Sequence, residues 1–366
     1  MENPYAVLFE PVQIGPVTAP NRFYQVPQCN GFGHLFPRSV AAMRGVKAEG
    51  GWGVVCTEET EIHYSGDLSP AVEGRLWDES DIPALALTVE AVHEHGALAG
   101  IELVYSGHHA VNLYSRSTPF DVGSLSLSGY LPAQARMADK EDLRNIRHWH
   151  RQAALNAKQA GFDIVYCYAA HELSLPMFLL LRRYNQRTDE YGGSLENRSR
   201  ILFEIIDGIR ARCGKNFMLG VRLSAERFGM KLADSVQIAQ RLMKEDNIDF
   251  LDMSLWDVFK EPEEDEYKGR TLMSYFTELN RHNTRLGVAG KIRTPQEAEA
   301  TMAAGADWIM LGRAAMLQHD WPNRYKADPS FKPVEMPVPR KYLESEGISP
   351  KFQDYIQGRW PEFFAD

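Results

Sequence analysis

Short runs that are apolar at nearly every position alternate along the chain with longer stretches whose apolar residues recur at helical spacing. The short runs are NRFYQV (21–26), GVVCTE (53–58), AGIELVY (99–105), FDIVYCY (162–168), FMLGVRL (217–223), IDFLDMS (248–254), RLGVAG (285–290) and DWIMLG (307–312). Most follow a Gly or Gly-Ala breaker, as in HGALAG, QAGFD and AAGAD. Helical patterns lie between them at 82–96, 197–214, 233–246 and 295–305. A strand that is apolar throughout, rather than at alternate positions, is one covered on both faces, as the strands of a parallel sheet are. Eight β-then-α units predict a (β/α)8 TIM barrel, an α/β fold. A doubly wound open sheet is the competing arrangement, but no GxGxxG follows the first strand as a Rossmann unit would require. No linker or low-complexity stretch interrupts the series, so one barrel domain is expected over 1–323. The tail at 324–366 is Pro-rich with scattered aromatics and is expected to wrap the barrel.

Composition narrows the partners. The 366 residues are 44% hydrophobic, enough for a large core, and carry a formal net charge of -9, which makes nucleic acid and anionic membranes poor partners. No apolar run reaches transmembrane length, and the opening MENPYAVLFEP does not read as a signal peptide, so a soluble, cytoplasmic protein is expected. The four cysteines, Cys29, Cys56, Cys167 and Cys213, form no CxxC pair, which argues against a zinc ribbon, a cysteine-bound iron–sulfur cluster or a disulfide framework. Cys56, Cys167 and Cys213 read as small buried apolar residues.

Active sites of such barrels form at the C-terminal ends of the strands. There this sequence places Cys29 after the first strand, Glu58 and Glu59 after the second, and Glu102 and Tyr105 on the third. Tyr168 and His171 end the fourth, Arg222 lies on the fifth, and Trp256 and Asp257 follow the sixth. The last two strands end in GVAGKIRTP and IMLGRAAM, each a glycine, a basic residue and a helix start. Gly290 and Gly312 let the backbone approach an anion, and Lys291 and Arg313 add charge, which reads as a phosphate site; ordinary helix capping with surface charge is the bland alternative. Arg222, a cation inside an apolar strand, needs an anionic or electron-rich partner, either a structural salt bridge or a negatively charged cofactor ring. Tyr168 and His171 can hydrogen-bond and transfer protons; a tyrosinate base is one option if His171 lowers the phenol's pKa.

The stretches LFEPVQIG, NRFYQVPQC, KAEGGW, GALAGIEL, AGFDIVYCYAAH, NQRTDEYGGSLENRSR (185–200) and LGVRLS resemble the Old Yellow Enzyme family of FMN-dependent oxidoreductases, in particular its trimethylamine dehydrogenase branch. The resemblance spans most of 5–320. It implies FMN at the barrel mouth, with Pro27, Cys29, Glu102 and Arg222 contacting the ring system, Glu59 beside it, and Gly290, Lys291, Gly312 and Arg313 holding the phosphate. Cys29 then has three readings: a covalent anchor for the flavin, a contact that tunes its potential, or a packed side chain. Tyr168-x-x-His171 and Glu102 are similar to the amine-oxidising branch, where ene-reductases carry His-x-x-His or His-x-x-Asn and a glutamine. That branch adds an aspartate after strand six, whose counterpart here would be Glu264 or Asp265. Glu59 stands where the branch has a cage aromatic, and Tyr105 and Trp256 would rebuild part of an aromatic wall facing the substrate.

The resemblance thus implies oxidation of a secondary or tertiary, N-methylated amine by hydride transfer to flavin, with Tyr168, His171 and Cys29 as catalytic groups. The branch's cluster and nucleotide domains are not matched, so an external electron acceptor or donor is expected and no iron–sulfur cluster. An NAD(P)H-dependent ene-reductase acting on an activated alkene is the alternative within the same fold. A flavin-binding module serving a partner protein is the third reading, against which Tyr168, His171 and Arg222 argue. No metal is expected, and a homodimer is.

Overall fold

A computed structural model of the chain describes residues 6–126 and 134–365. Met1–Tyr5, part of the opening read above as no signal peptide, and Asp366 lie outside the described residues. The eight apolar runs form eight parallel strands: β1 (Phe23–Gln25), β2 (Val54–Glu61), β3 (Leu98–Val104), β4 (Ile164–Ala169), β5 (Met218–Ser224), β6 (Phe250–Ser254), β7 (Arg285–Ala289) and β8 (Trp308–Leu311). Each pairs with its sequence neighbours, and β8 returns to β1 through Ile309 opposite Phe23, so the sheet closes into a barrel rather than remaining an open sheet. Every residue of β4 and β5 is buried, which is what their unbroken apolar character anticipates. Helices cover the outside, among them Pro37–Glu49, Ile82–His93, Lys140–Gln159, Leu195–Cys213, Leu232–Glu245 and Pro295–Ala303. Three begin at side-chain caps: Asp139 forms a capping box with Asp142, the Ser194 hydroxyl accepts from the Asn197 amide, and Thr294 forms a capping box with Glu297.

Inside, the N-terminal half of the barrel is plugged. Tyr24, Cys56, Tyr166, Phe250, Trp308 and Met310 fill it, and the hairpin Val12–Ile14/Val17–Ala19 seals it from below. Large side chains fit because small ones face them. A Cβ at Gly220 would fall 2.2 Å from the Phe250 ring, and one at Gly287 would fall 2.3 Å from the Trp308 indole nitrogen. Cys56, Cys167 and Cys213 are all buried and unpaired. With the bottom closed, a ligand has room only at the C-terminal end.

The C-terminal segment carries the helices Arg340–Ser345 and Pro350–Arg359. Leu343, Ile348, Phe352, Ile356 and Phe363 pack against Met316 and Leu317, just past β8. The Ser349 hydroxyl donates to the Asn30 carbonyl, tying the segment to the loop after β1. The last helix therefore lies across one side of the barrel mouth.

Candidate active site

A cavity of about 490 Å³ opens at the C-terminal ends of the strands. Its floor is built on strand register. Tyr168 on β4, Arg222 on β5 and Asp252 on β6 stand side by side in the sheet. Arg222 Nη1 lies 3.2 Å from Glu102 Oε2, and its Nε lies 3.2 Å from Asp252 Oδ2. One guanidinium is thus shared by two buried carboxyls. Burial holds Glu102 up to about 8 and Asp252 up to about 6, against the pull of Arg222, while the two acids keep Arg222 charged.

Tyr168 and His171 meet in the cavity, with the phenol oxygen 2.7 Å from His171 Nδ1. His171 sits at φ 60, where its amide donates to the Ser224 hydroxyl. Burial, then Glu102 and Glu59, push the Tyr168 phenol well above its ordinary value. Burial and then Arg222 push His171 well below its own. Burial and these negative neighbours outweigh Arg222, which favours a neutral phenol over the tyrosinate option. With the phenol donating to Nδ1, the neutral imidazole carries its proton on Nε2.

Cys29 lies on the loop after β1. That loop is fixed by Arg44, which donates to the Gln28 carbonyl at 2.6 Å and pairs with Glu58, and by Asn30, which also donates to Glu58. Glu58 is therefore committed to the loop. Ligand atoms of Cys29, Glu59 and Glu73 lie within 4.8 Å of one another. Burial, then Glu73, raises the Cys29 thiol well above its usual value, so it is a thiol and not a thiolate. Burial holds Glu59 at about 7, while Arg359 and Arg222 act to lower it.

At the opposite end, Gly290 and Gly312 line the cavity with Lys291 and Arg313. A Cβ at Gly290 would come 2.7 Å from the Asp257 amide, so only glycine lets the backbone pass there. Lys291 Nζ pairs with Asp257 at 3.1 Å, and Arg313 lies 3.6 Å from Glu362. The two turns differ: Gly312 directly precedes the helix Arg313–Leu317, whereas the helix after β7 starts only at Pro295.

Backbone strain concentrates here. Among the described residues, His171, Arg227, Phe228, Trp256 and Lys291 all line the cavity with φ between 50 and 73. For bulky residues this conformation costs about 1–3 kcal/mol each and persists only where the surroundings over-determine it.

Comparison with known proteins places this architecture. The chain matches the NADH:flavin oxidoreductase / NADH oxidase family over residues 7–329. It belongs to that family. It is 37% identical to a dimethylamine dehydrogenase from Hyphomicrobium sp. (strain x), across 69% of this chain and 35% of that protein. Among solved structures it resembles the histamine dehydrogenase from Rhizobium sp. 4-9, with 36% identity over 89% of this chain and 48% of the other and a TM-score of 0.79. The 6-hydroxypseudooxynicotine amine oxidase from Pseudomonas geniculata N1 gives 35% identity over 89% and 50%, with a TM-score of 0.81. An old yellow enzyme homologue from Zymomonas mobilis gives 25% over 92% and 96%, with a TM-score of 0.76. The chain thus spans about a third to a half of the amine-oxidising relatives it matches. Its family is one of FMN-dependent oxidoreductases, and among the described residues no helix is long and apolar enough to cross a membrane.

The cavity suits a flavin of this family. Gln28 is about nine-tenths buried and faces the cavity, yet neither its side-chain oxygen nor its nitrogen has a hydrogen-bond partner among the described residues. An amide left open in this way complements the donor–acceptor edge of a pyrimidine ring. Gln28 was readable in VPQC but passed over beside Cys29.

Three expected residues lie elsewhere. Tyr105, expected to face substrate, is 1% exposed. It stacks on Phe120 and Trp149, with its hydroxyl on Ser65, because β3 turns its last side chains outward beneath the helix Lys140–Gln159. Glu264 accepts from the Leu232 amide and pairs with Lys231, which makes it an anchor for the helix Leu232–Glu245. Asp265 is solvent-exposed and pairs with Lys268. Neither acid lines the cavity, because the loop after β6 folds back onto that helix. Pro27, Cys29, Glu59, Glu102, Tyr168, His171, Arg222, Trp256, Gly290, Lys291, Gly312 and Arg313 all line it. So do Arg227, Phe352, Tyr355, Arg359 and Trp360, which sequence reasoning missed. The tail's aromatics were the only signal for the last four.

Proposed function

We propose that this chain oxidises an N-methylated secondary or tertiary amine at the barrel mouth. Pro27, Gln28, Glu102 and Arg222 would hold the flavin ring, and Gly290, Lys291, Gly312 and Arg313 would hold its phosphate. When bound, FMN supplies the two-electron acceptor for hydride from the carbon beside nitrogen. The observation that carries the reading is the neutral Tyr168–His171 pair with Glu59 in the same cavity, in a chain 37% identical to an amine dehydrogenase. An amine arrives protonated and reacts only with its lone pair free. Glu59, held near 7, offsets the ammonium charge. Glu59 is also the group able to take the ammonium proton, while the Tyr168 phenol, hydrogen-bonded to His171 Nδ1 2.7 Å away, orients the nitrogen. The iminium product hydrolyses to an aldehyde and a demethylated amine. Arg222 places positive charge where electron density would accumulate.

Two further assignments go with this reading. Cys29, on the loop after β1, would contact the ring, and acid precipitation distinguishes a covalent anchor from a non-covalent contact. In the first case colour stays in the pellet and is lost from it in Cys29→Ala; in the second it leaves with the supernatant. An acceptor outside these residues would reoxidise the flavin. The alternative, an NAD(P)H-driven ene-reductase, is favoured by one observation: a neutral His171 with Nε2–H free can grip a carbonyl.

Anaerobic titration of the purified yellow protein tests the two readings. Secondary and tertiary N-methylamines are expected to bleach the flavin stoichiometrically, and Tyr168→Phe is expected to slow this by about 10²-fold or more with FMN content unchanged. Bleaching by NADPH but not by amines, or a Tyr168→Phe variant as fast as the parent, would overturn the amine reading.

A further inference from the structure

The amine chemistry leaves two cavity-lining cations without a task. Arg227 follows β5, and Arg359 ends the helix Pro350–Arg359. Among the described residues neither has a carboxylate within 4.0 Å, whereas on the same walls Arg222 has two and Lys291 and Arg313 have one each. The acid next to Arg227, Glu226, is taken by Lys260. Arg293, also on the wall, lies on the β7 turn near Arg313 and belongs to the phosphate end.

Both guanidiniums rest on aromatic rings: Arg227 lies 3.9 Å from the Trp256 centroid and Arg359 lies 5.0 Å from that of Tyr355. A ring occupies one face of the guanidinium and leaves its edge of N–H donors free and oriented, the state in which it can grip a planar oxyanion bidentately. Arg227, Phe228 and Trp256 are all held at positive φ to present the first stack, so it is a built feature and not a drifting surface side chain. The same cavity presents the Glu59 carboxyl, on which Arg359 is the strongest positive influence, so acid and cation line one and the same cavity.

We propose that the substrate is a zwitterion, an N-alkylated amino acid, whose nitrogen lies toward Glu59 and Tyr168 and whose carboxylate is held by Arg227 and Arg359. This rests on the amine reading and adds the substrate class. It also gives the C-terminal helix a part in choosing the substrate.

The test compares matched pairs on the holoenzyme. Dimethylglycine and its uncharged amide are titrated anaerobically while flavin absorbance is followed, in the parent and in Arg227→Gln and Arg359→Gln, with FMN content checked in each. The acid is expected to half-saturate at a concentration roughly tenfold or more below that of the amide, the effect of one well-placed charge pair, with that advantage over the amide shrinking in either variant at pH 8, where Glu59 is ionised. Equal performance of acid and amide, or an equal loss for both in the variants, would overturn the proposal. A second arm does not depend on amine oxidation. Isobutyrate, a carboxylate without nitrogen, is expected to perturb the oxidised flavin spectrum, less so in both variants. If isobutyrate behaves so but no amine bleaches the flavin, the anion site stands and the amine reading fails. If the amide bleaches the flavin while the acid gains nothing and isobutyrate leaves the spectrum unchanged, the reverse holds.

Discussion

The cavity has two walls of different character. The barrel strands from β3 to β6 bury the charges they carry into the cavity and pair them: Arg222 lies between Glu102 and Asp252, and Tyr168 is hydrogen-bonded to His171. The tail wall, from the helix Pro350–Arg359, exposes Arg359 and leaves Tyr355 38% exposed. A buried ion pair must be complete before a ligand arrives, because desolvated charges tolerate no vacancy. An exposed guanidinium beside a ring is satisfied by water until a ligand replaces that water. The barrel wall is therefore suited to invariant demands, holding a flavin and moving a proton. The tail wall can change with little cost to the fold, and is suited to selecting among amines.

This difference should show first in stability. Arg222→Leu strands Glu102 and Asp252 in the barrel interior, and removing one partner of a buried ionic group costs about 3–5 kcal/mol. The deficit should be larger at pH 8 than at pH 5, because both acids, already raised, can neutralise themselves by binding protons at the lower pH. Tyr355→Ala, on the tail wall, should cost under about 1 kcal/mol. Denaturant unfolding of the two variants measures both. Equal losses would mean that the tail is as integral to the fold as the barrel floor.

The same division explains what was legible in the sequence. Strands covered on both faces are apolar at nearly every position, so each of the eight was visible as a short apolar run, and the rim followed from their C-terminal ends. Arg222 stood out because a cation in such a run is anomalous. Its second partner, Asp252 in IDFLDMS, carried the same anomaly one strand away. Tyr105 misled because a strand's end does not reveal to which side its last side chain turns; a register one residue different would have sent it into the cavity. Glu264 and Asp265 misled because a long loop can fold back on a neighbouring helix as readily as over the mouth. Arg227 and the tail residues were invisible for a related reason: no local periodicity connects residues near 355 with β1, more than three hundred positions earlier. Only packing of the Leu343–Phe352–Ile356 face against Met316 and Leu317 brings them there.

A smaller effect probes the tail's influence on the cofactor. Glu362 lies 3.6 Å from Arg313, and both are partly exposed. Its charge offsets the cation expected to meet the FMN phosphate. Glu362→Gln should tighten FMN by a few-fold, in keeping with the ~0.2–1 kcal/mol of an exposed ion pair. The affinity is read by flavin fluorescence quenching in a Cys29→Ala background, so that a covalent bond cannot hide it. Weaker binding would show that Glu362 positions Arg313 rather than competing for it.

The smallest effect is a pH dependence at the meeting point of the two walls. Glu59 is held at about 7 by burial, with Arg359 on the tail wall and Arg222 on the barrel wall acting to lower it. Its carboxylate is present above that pH and lost below it. For an amine that stays cationic throughout, binding should therefore strengthen from pH 6 to pH 8, by at most about tenfold per unit on the acid side. In the ligand-free protein the sign is opposite. A raised carboxyl makes the folded state bind more protons than the unfolded one, so Glu59 lowers stability as pH rises through 7, and Glu59→Gln should remove that slope. Arg359→Gln withdraws the larger of the two positive influences and should move the binding midpoint to higher pH. A midpoint that stays in place in Arg359→Gln would mean that the tail wall does not reach Glu59 and that the barrel alone sets its charge.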